Sequence, residues 1–507
     1  MQQNNARIAK NTAILYARML LTVGINLYTS RLVLDTLGVD DYGIYNVVGG
    51  VVTMFAFLNS SMAGATQRFL TFELGKKDTE KLKRVFATSV SIHFVIALLI
   101  LALAETVGLW FLNAKINIAP DRMIAANWVY QCSVFSFLLN IICVPYSACV
   151  VAHEKMSAFA GFQIIETLLC LGIVYLVMLG GIDKLILYAL LMLVVALLNR
   201  AICTHYCKRH FEECIYRFVF DKPLFREMFA FAGWHFYAGT ASVVSAQGIT
   251  ILLNVFFGVT VNAAQGVAGQ IRAKMQNFIS SFQTALNPQI TKYYAEGNLD
   301  EMRKLVWRSC RFSFYLISMI VIPVYINVDD ILSIWLKEVP AYSNIFLQLI
   351  LLDLAIGTIT NPIITAYHAI GEIKNYSLFV GSITLLTLPL SYWLLKLNEP
   401  PYSVFYVTLG ISIVGLFVRF YLLQRRIKLF RWWYFVICIL LRNILLFGMM
   451  LAVSFYVKSL LAENLLSLIT TTAISVLLSG TTFYYLGLEK QEKEMVRKSL
   501  RKVIWKN

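Results

Sequence analysis

The chain has 507 residues, of which 59% are hydrophobic and only 14% charged, and it carries a formal net charge of +16. A water-soluble domain is roughly 25% charged, so this composition, with a mean hydropathy of +0.68, excludes a single soluble core and makes the bilayer the solvent. In hydrocarbon only helices and closed barrels satisfy their own backbone groups, and the alternating ten-residue strands of a barrel do not recur. Blocks of about 20 apolar residues do recur, the length a helix needs to cross the hydrocarbon layer.

In chain order, apolar blocks between polar breaks predict about 14 transmembrane helices in an all-α integral membrane protein. They cover residues 11–34, 44–70, 85–112, 124–151, 156–179, 184–205, 229–257, 261–290, 309–328, 343–368, 375–397, 402–424, 432–457 and 464–487. The first block contains Arg18 and Arg31 and no small-residue cleavage site, so it reads as a retained helix rather than a signal peptide. Threading the helices alternately places Lys76, Lys77, Lys81, Lys83 and Arg84 on one side with Lys208, Arg209, Arg217, Lys222 and Arg226. Arg303, Lys304, Arg308, Arg311 and the Arg425–Arg431 break join them, while Asp40, Asp41, Asp329, Asp330 and Glu399 fall on the other side as solvated loops. Basic residues mark the cytoplasm, so both termini are expected there. The excess charge is thereby a matter of topology, and no nucleic-acid partner is expected.

Weak self-similarity at a shift of 220 residues points to duplication. Leu37-Gly38-Val39 aligns with Phe257-Gly258-Val259, Glu80–Phe86 with Glu301–Trp307, and the helix ending Pro145…His153-Glu154 with the one ending Pro362…Gly371-Glu372. Six helices per repeat give a parallel duplication of the kind that builds transporters. The expected domains are an N-lobe over 1–210, a linker over 211–228, a C-lobe over 229–428, two extra helices over 429–488 and a basic tail over 489–507. The loops are short, so function is expected inside the helix bundle.

Tyr28–Val52 (YTSRLVLDTLGVDDYGIYNVVGGVV) followed by Ser60–Phe69 (SSMAGATQRF) resembles the amino-terminal signature of the polysaccharide flippases. These are the Wzx-like transporters of O-antigen and capsule repeat units, in the multidrug/oligosaccharidyl-lipid/polysaccharide (MOP) exporter superfamily. The resemblance implies a MATE-like fold with two lobes around a cavity that opens alternately inward and outward. It implies an oligosaccharide on undecaprenyl pyrophosphate as cargo, carried across the bacterial inner membrane for lipopolysaccharide O-antigen, capsule or exopolysaccharide biosynthesis. The polysaccharide polymerase and chain-length machinery are the implied protein partners. In related peptidoglycan-precursor flippases the two extra helices hold the lipid tail, which would account for residues 429–488.

A pyrophosphate in a low-dielectric cavity needs cations, and arginine's planar fork suits phosphate oxygens. A cation at bilayer depth is costly and is expected to face the bundle interior. Arg18 shares a helix face with Asn26, and Arg272 lies in the stripe Gln265, Gly269, Arg272, Gln276, Ser280, Gln283 and Asn287. The substrate-binding candidates are therefore Arg18, Asn26, Arg272, Gln276 and Gln265, with Lys274 added although it points away from Arg272. The family places cavity cations in its first and eighth helices, as here. The family also tends to carry one in its second helix; here Val52 is the repeat partner of Arg272, so that contribution is missing or comes from elsewhere. Arg68, near a helix end, is expected to snorkel.

Glu166 and Asp353 sit near mid-depth. They are candidates for proton or sodium coupling, or else partners of a cavity arginine. No other cofactor is expected. Cys203, His205, Cys207, His210 and Cys214 do not match the spacing of a zinc finger, so no metal site is expected. No nucleotide-binding G-x-x-x-x-G-K-[ST] run occurs, and no catalytic residues are assigned. A drug or metabolite exporter of the same superfamily is the alternative within the fold. A membrane glycosyltransferase or polymerase is the alternative outside it, disfavoured by the short loops.

Overall fold

The computed structural model describes residues 2–53, 56–115, 118–180, 183–215, 221–336, 338–461, 465–489 and 492–494. Residues 216–220 of the expected linker, Arg217 among them, and the tail beyond 494 lie outside the described residues. Every regular element among the described residues is helical. The first ten helices are α1 (Gln2–Leu37), α2 (Val39–Thr53), α3 (Ala56–Lys76), α4 (Thr79–Leu103), α5 (Leu109–Lys115), α6 (Met123–Ala152), α7 (Met156–Leu179), α8 (Lys184–His210), α9 (Lys222–Phe257) and α10 (Val259–Ala295). They are followed by α11 (Leu299–Ile326), α12 (Val328–Trp335), α13 (Ser343–Ile370), α14 (Lys374–Leu385), α15 (Thr387–Lys396), α16 (Ser403–Arg426), α17 (Trp432–Tyr434), α18 (Arg442–Ser459) and α19 (Leu465–Thr482).

Eleven stretches of the described residues are helical, long and apolar enough to cross a membrane. They coincide with eleven of the expected spans. The remaining three are the first, second and eighth, at 11–34, 44–70 and 261–290. α1 and α10 have ample length at 36 and 37 residues. What lowers their apolarity is the polar content itself, Arg18 and Asn26 in one and the Gln265–Asn287 stripe in the other. The second expected span is described as α2 and α3, with residues 54 and 55 between them outside the described residues.

The internal repeat is written in the backbone. α1 and α9 are each 36 residues long and each ends at a glycine with positive φ, Gly38 at +82° and Gly258 at +80°. In both, the glycine N–H returns to the last turn, at 2.9 Å to Leu34 O and 2.8 Å to Asn254 O. A side chain is disfavoured in that left-handed region, and glycine terminates a helix there at little cost. The pattern continues with Lys77 and Gly297, and with Glu154 and Gly371, all at positive φ. Pro145 and Pro362 sit inside α6 and α13 at matching places before those last two turns.

The chain divides into two compact units. Unit 1 comprises Met1–Gly239, Thr284–Asn298 and Ala369–Lys374, and unit 2 comprises Thr240–Gln283, Leu299–His368 and Asn375–Asn507. In unit 1, α6 packs on α3, α4 and α8, and α7 on α1 and α8. Its core includes Phe69, Phe86, Ile92, Tyr146, Met228 and Phe231. In unit 2, α11 is the central helix, packed by α18 and α19. Trp307 stacks among Phe420, Phe430 and Phe435, and the buried Arg311 is held by Glu489 at 2.9 Å and Glu492 at 2.5 Å. The two extra helices, α18 and α19, thus lie on α11, with Leu466, Ile469 and Leu477 outward.

On the side expected to be acidic, Asp41 and Asp330 are not simply solvated. Arg122 bridges Asp41 and Asp183, at 2.5 Å to the latter. Asp183 also caps α8, accepting from the amides of Leu185 at 3.0 Å and Ile186 at 3.2 Å, a use of aspartate that satisfies the orphan donors of a first turn. Burial pushes the Asp183 carboxyl up, but the Arg122 bond and these amides outweigh it and hold it below the usual range. Lys458 reaches Asp330 at 2.7 Å and Ile326 O at 3.0 Å, tying the end of α18 to unit 2's acidic turn.

Candidate functional site

α1 is held against α7, and this packing fixes the surroundings of Arg18. The half-buried guanidinium donates through Nη1 to Oε1 of Gln163 and lies 5.9 Å from the centroid of the Phe159 ring. Both partners are on α7, four residues apart and so on one face. Asn26, two turns further along α1, is exposed.

Glu166 follows Gln163 by one turn of α7. Its Oε2 accepts from Nδ2 of Asn199 on α8 at 3.0 Å. The carboxylate lines a cavity of about 260 Å³ inside unit 1, together with Ser133, Ser136 and Asn140 of α6 and Tyr45 of α2. Among the lining residues Glu166 is the acid, and the hydroxyl and amide groups beside it are oxygen donors of the kind that take up a small hard cation.

In unit 2 the arrangement differs. Arg272 of α10 donates through Nη2 to Oδ2 of Asp353 on α13 at 2.8 Å. The buried Asp353 also accepts from Ser412 Oγ of α16 at 2.5 Å. Asp353 is thus paired with an arginine, Arg272. Gln265 is half-buried, whereas Gln276 and Lys274 are exposed on α10. Further along the stripe, Gln283 Oε1 accepts from Asn361 Nδ2 at 3.0 Å. The structure thus groups Arg272 with Asp353 and Arg18 with Gln163, and it gives Asn26, Gln276 and Lys274 no such fixed arrangement.

Sequence reasoning missed a third cluster, at the basic end of unit 1. Glu154, in the left-handed turn after α6, has a side chain only 1% exposed and receives Arg7 Nε at 3.0 Å and Lys292 Nζ at 2.7 Å. Gln289 Nε2 donates to the same carboxylate at 2.6 Å, and Asn11 Nδ2 donates to the Glu154 carbonyl at 3.3 Å. A buried carboxylate is tolerated when cations and donors surround it. This one ties the start of α1 and the end of α10 to the turn after α6. One helix over, Gly75 of α3 meets α10 so closely that a Cβ there would lie 2.7 Å from the Ala295 Cβ.

Arg68 does not snorkel. It is buried, donates through Nη2 to Ala369 O at 2.9 Å, and lies 4.6 Å, 4.8 Å and 5.6 Å from the ring centroids of Phe69, Phe72 and Phe231. A cation desolvated among aromatic faces is held by their quadrupoles. The signal was present in the sequence FLTF that follows Arg68, but Phe231 and Ala369 are distant in sequence and carry no local cue.

Long apolar helices with buried arginines and carboxylates, no strand among the described residues and a repeated helix–glycine–helix plan make an all-helical fold that solved MOP-superfamily transporters share. Solved structures agree. The outward-facing structure of a multidrug-resistance MATE-family transporter matches with a TM-score of 0.71 at 11% identity, over 84% of this chain and 97% of that one. A MOP-superfamily transporter from Pyrococcus furiosus, described as having a binding pocket of reversed polarity that suggests a different function, matches with a TM-score of 0.68 at 11% identity, over 83% and 96%.

Residues 8–294, more than half of the chain, match the model of the polysaccharide biosynthesis protein family, and the chain belongs to that family. It is also 20% identical over 338 residues to EpsK of Bacillus subtilis (strain 168), named as an uncharacterized membrane protein, and it spans 64% of that relative's length.

Proposed function

We propose that this protein is a flippase that moves undecaprenyl-pyrophosphate-linked oligosaccharide repeat units from the cytoplasmic to the outer leaflet of the bacterial inner membrane. The cargo would feed O-antigen, capsule or exopolysaccharide synthesis, and movement would proceed by alternating access. The observation that carries this reading is an arginine partway along a long helix of each unit, Arg18 of α1 on a Gln163 amide and Arg272 of α10 on the Asp353 carboxylate. Membership of a polysaccharide biosynthesis family supplies the sugar, and the arginines supply what a pyrophosphate needs.

The chemistry follows from the partners. The Gln163 amide orients the Arg18 guanidinium, whose planar fork suits the oxygens of a phosphate. Arg272 is neutralised by Asp353, so phosphate binding there is an exchange of one anion for another. Gln265, Gln276, Asn26 and Lys274 would supply further donors along the same helices. Glu166, the acid lining its cavity, is the group through which a proton or sodium gradient would act. The basic breaks set both termini in the cytoplasm. α18 and α19 would hold the lipid tail, since they present an apolar outer face. With no nucleotide-binding motif in the sequence, the work comes from an ion gradient rather than from ATP, and the protein acts as a transporter rather than an enzyme.

The test is made in a cell that makes the polysaccharide. Removing the gene should leave lipid-linked repeat units protected in the inner leaflet, and the wild-type gene should restore their access to an outer-leaflet glycosidase. Restoration by Arg18→Ala at equal expression would sink the assignment of the phosphate site. Export of cationic dyes without any change in the lipid-linked pool would move the protein to the drug-exporter reading.

A further inference from the structure

Outside the transport machinery, unit 1 brings together thiol, imidazole and carboxylate groups at the basic end of α6 and α8. Cys149 and His153 are four residues apart at the end of α6, one above the other on a single face. Glu213 and Cys214 sit in the short 3-10 turn Glu212–Cys214 that follows α8. The donor atoms of Cys149, His153 and Glu213 all lie within 4.8 Å of one another. Cys149 Sγ is 3.3 Å from Glu213 Oε1, and His153 Nε2 is 2.5 Å from the same oxygen. Cys214 Sγ lies 3.5 Å from Cys149 Sγ, so a second thiol borders the group. The Phe211 ring stacks on His153 with centroids 4.2 Å apart and 16° between planes, which fixes the imidazole orientation.

We propose that Cys149, His153 and Glu213, bordered by the Cys214 thiol, form a structural site for a borderline-soft divalent cation, zinc above all. Zinc bonds of about 2.3 Å to sulfur and about 2.0–2.2 Å to nitrogen and oxygen imply ligand separations of about 3.3–3.8 Å in a tetrahedron. The two sulfur-centred separations already fall in that range. The His153–Glu213 distance must open by roughly 0.8 Å, as a metal takes the place of the shared proton. On binding, the Cys149 thiol loses its proton to solvent and the proton held between His153 and Glu213 leaves as the neutral imidazole binds through Nε2, so two protons leave for one dication.

A thiolate and an imidazole beside one carboxylate favour zinc over calcium or magnesium, which take oxygen ligands. The Cys203–Cys214 run conceals this set from sequence reading. Of that run, His205 and His210 are exposed, the latter bonded to Tyr206 O at 2.9 Å, while the missing ligands come from α6, some 60 residues earlier. Zinc there would fasten the turn after α8 to the end of α6, one residue from Glu154. The competing arrangement is an ordinary His–Glu ion pair beside two thiols.

The experiment is metal analysis of the full-length protein, purified in detergent and dialysed against metal-free buffer, followed by replacement of zinc with cobalt(II). One zinc per chain and an intense thiolate-to-cobalt absorption are expected. Cys149→Ser and His153→Ala should each lower zinc affinity by more than about tenfold, while Cys132→Ser and Cys438→Ser keep it. Three results would each overturn the proposal: wild-type protein that takes up neither zinc nor cobalt, zinc retained by both ligand variants, or a Cys149–Cys214 disulfide in unreduced peptides. The wild-type cobalt spectrum decides the matter even if a ligand variant fails to fold.

Discussion

The two units treat the arginines of α1 and α10 differently. In unit 1, Arg18 is bonded to the Gln163 amide, and Glu166, one turn along α7 from Gln163, to the Asn199 amide. In unit 2 the corresponding charges are joined, Arg272 to Asp353 at 2.8 Å, with Ser412 completing the carboxylate's shell. The lesson concerns division of labour. An arginine positioned by an amide is prepared for an anionic ligand, whereas one paired with a carboxylate contributes to the fold until a competing anion displaces its partner.

The largest effect is expected where neither unit's membrane charges are involved. Glu154→Ala removes a carboxylate that holds Arg7, Gln289 and Lys292, and loss of one member of a buried ionic cluster costs about 3–5 kcal/mol. Thermal unfolding in detergent should show it, and Glu154→Gln should recover part of the loss by keeping a hydrogen-bonding oxygen.

The next two changes sharpen the contrast between units. Arg18→Ala should leave unfolding almost unchanged and lower transport by about 10–100-fold, the worth of a charged hydrogen bond to the cargo. Arg272→Ala should destabilise by about 1–3 kcal/mol because it strands a buried Asp353, discounted for the half-exposed arginine. The double change Arg272→Ala with Asp353→Ala should regain stability that the single change loses. Equal behaviour of the two arginines in both assays would erase the distinction.

A smaller effect is expected at the opposite end of unit 1. Asp183→Ala deletes the cap of α8 and one arm of the Arg122 bridge, for about 1 kcal/mol from the cap. Because the folded carboxyl titrates below its unfolded value, its contribution is complete above about pH 4 and fades as pH falls through the lower folded value. The difference in stability between wild type and Asp183→Ala should therefore shrink on acidification. A difference that grows below that pH would show that the sign is wrong.

How much of this was legible follows the range of the interactions. Gly38 and Gly258 announced matching helix ends because a positive φ leaves a local residue preference. Arg18 and Arg272 stood out because charges interrupt apolar blocks. The same interruptions make α1 and α10 too polar to register as membrane spans by apolarity, so the helices hardest to count are those that carry the candidate site. Gln163, 145 residues from Arg18, and Asp353, 81 residues from Arg272, could be identified only by folding. Glu154 looked like a helix end, since its three partners come from α1 and α10. Arg68 looked like a snorkelling end residue, because Phe231 and Ala369 reach it only through packing.

The most direct measurement of the central claim is translocation of a fluorescent undecaprenyl-pyrophosphate oligosaccharide in proteoliposomes, comparing wild type, Arg18→Ala and empty vesicles under an imposed proton or sodium gradient. The account predicts gradient-dependent movement by wild type, and rates near those of empty vesicles for Arg18→Ala. Failure of wild type to move several such lipids, with efflux of small cationic dyes instead, would contradict it.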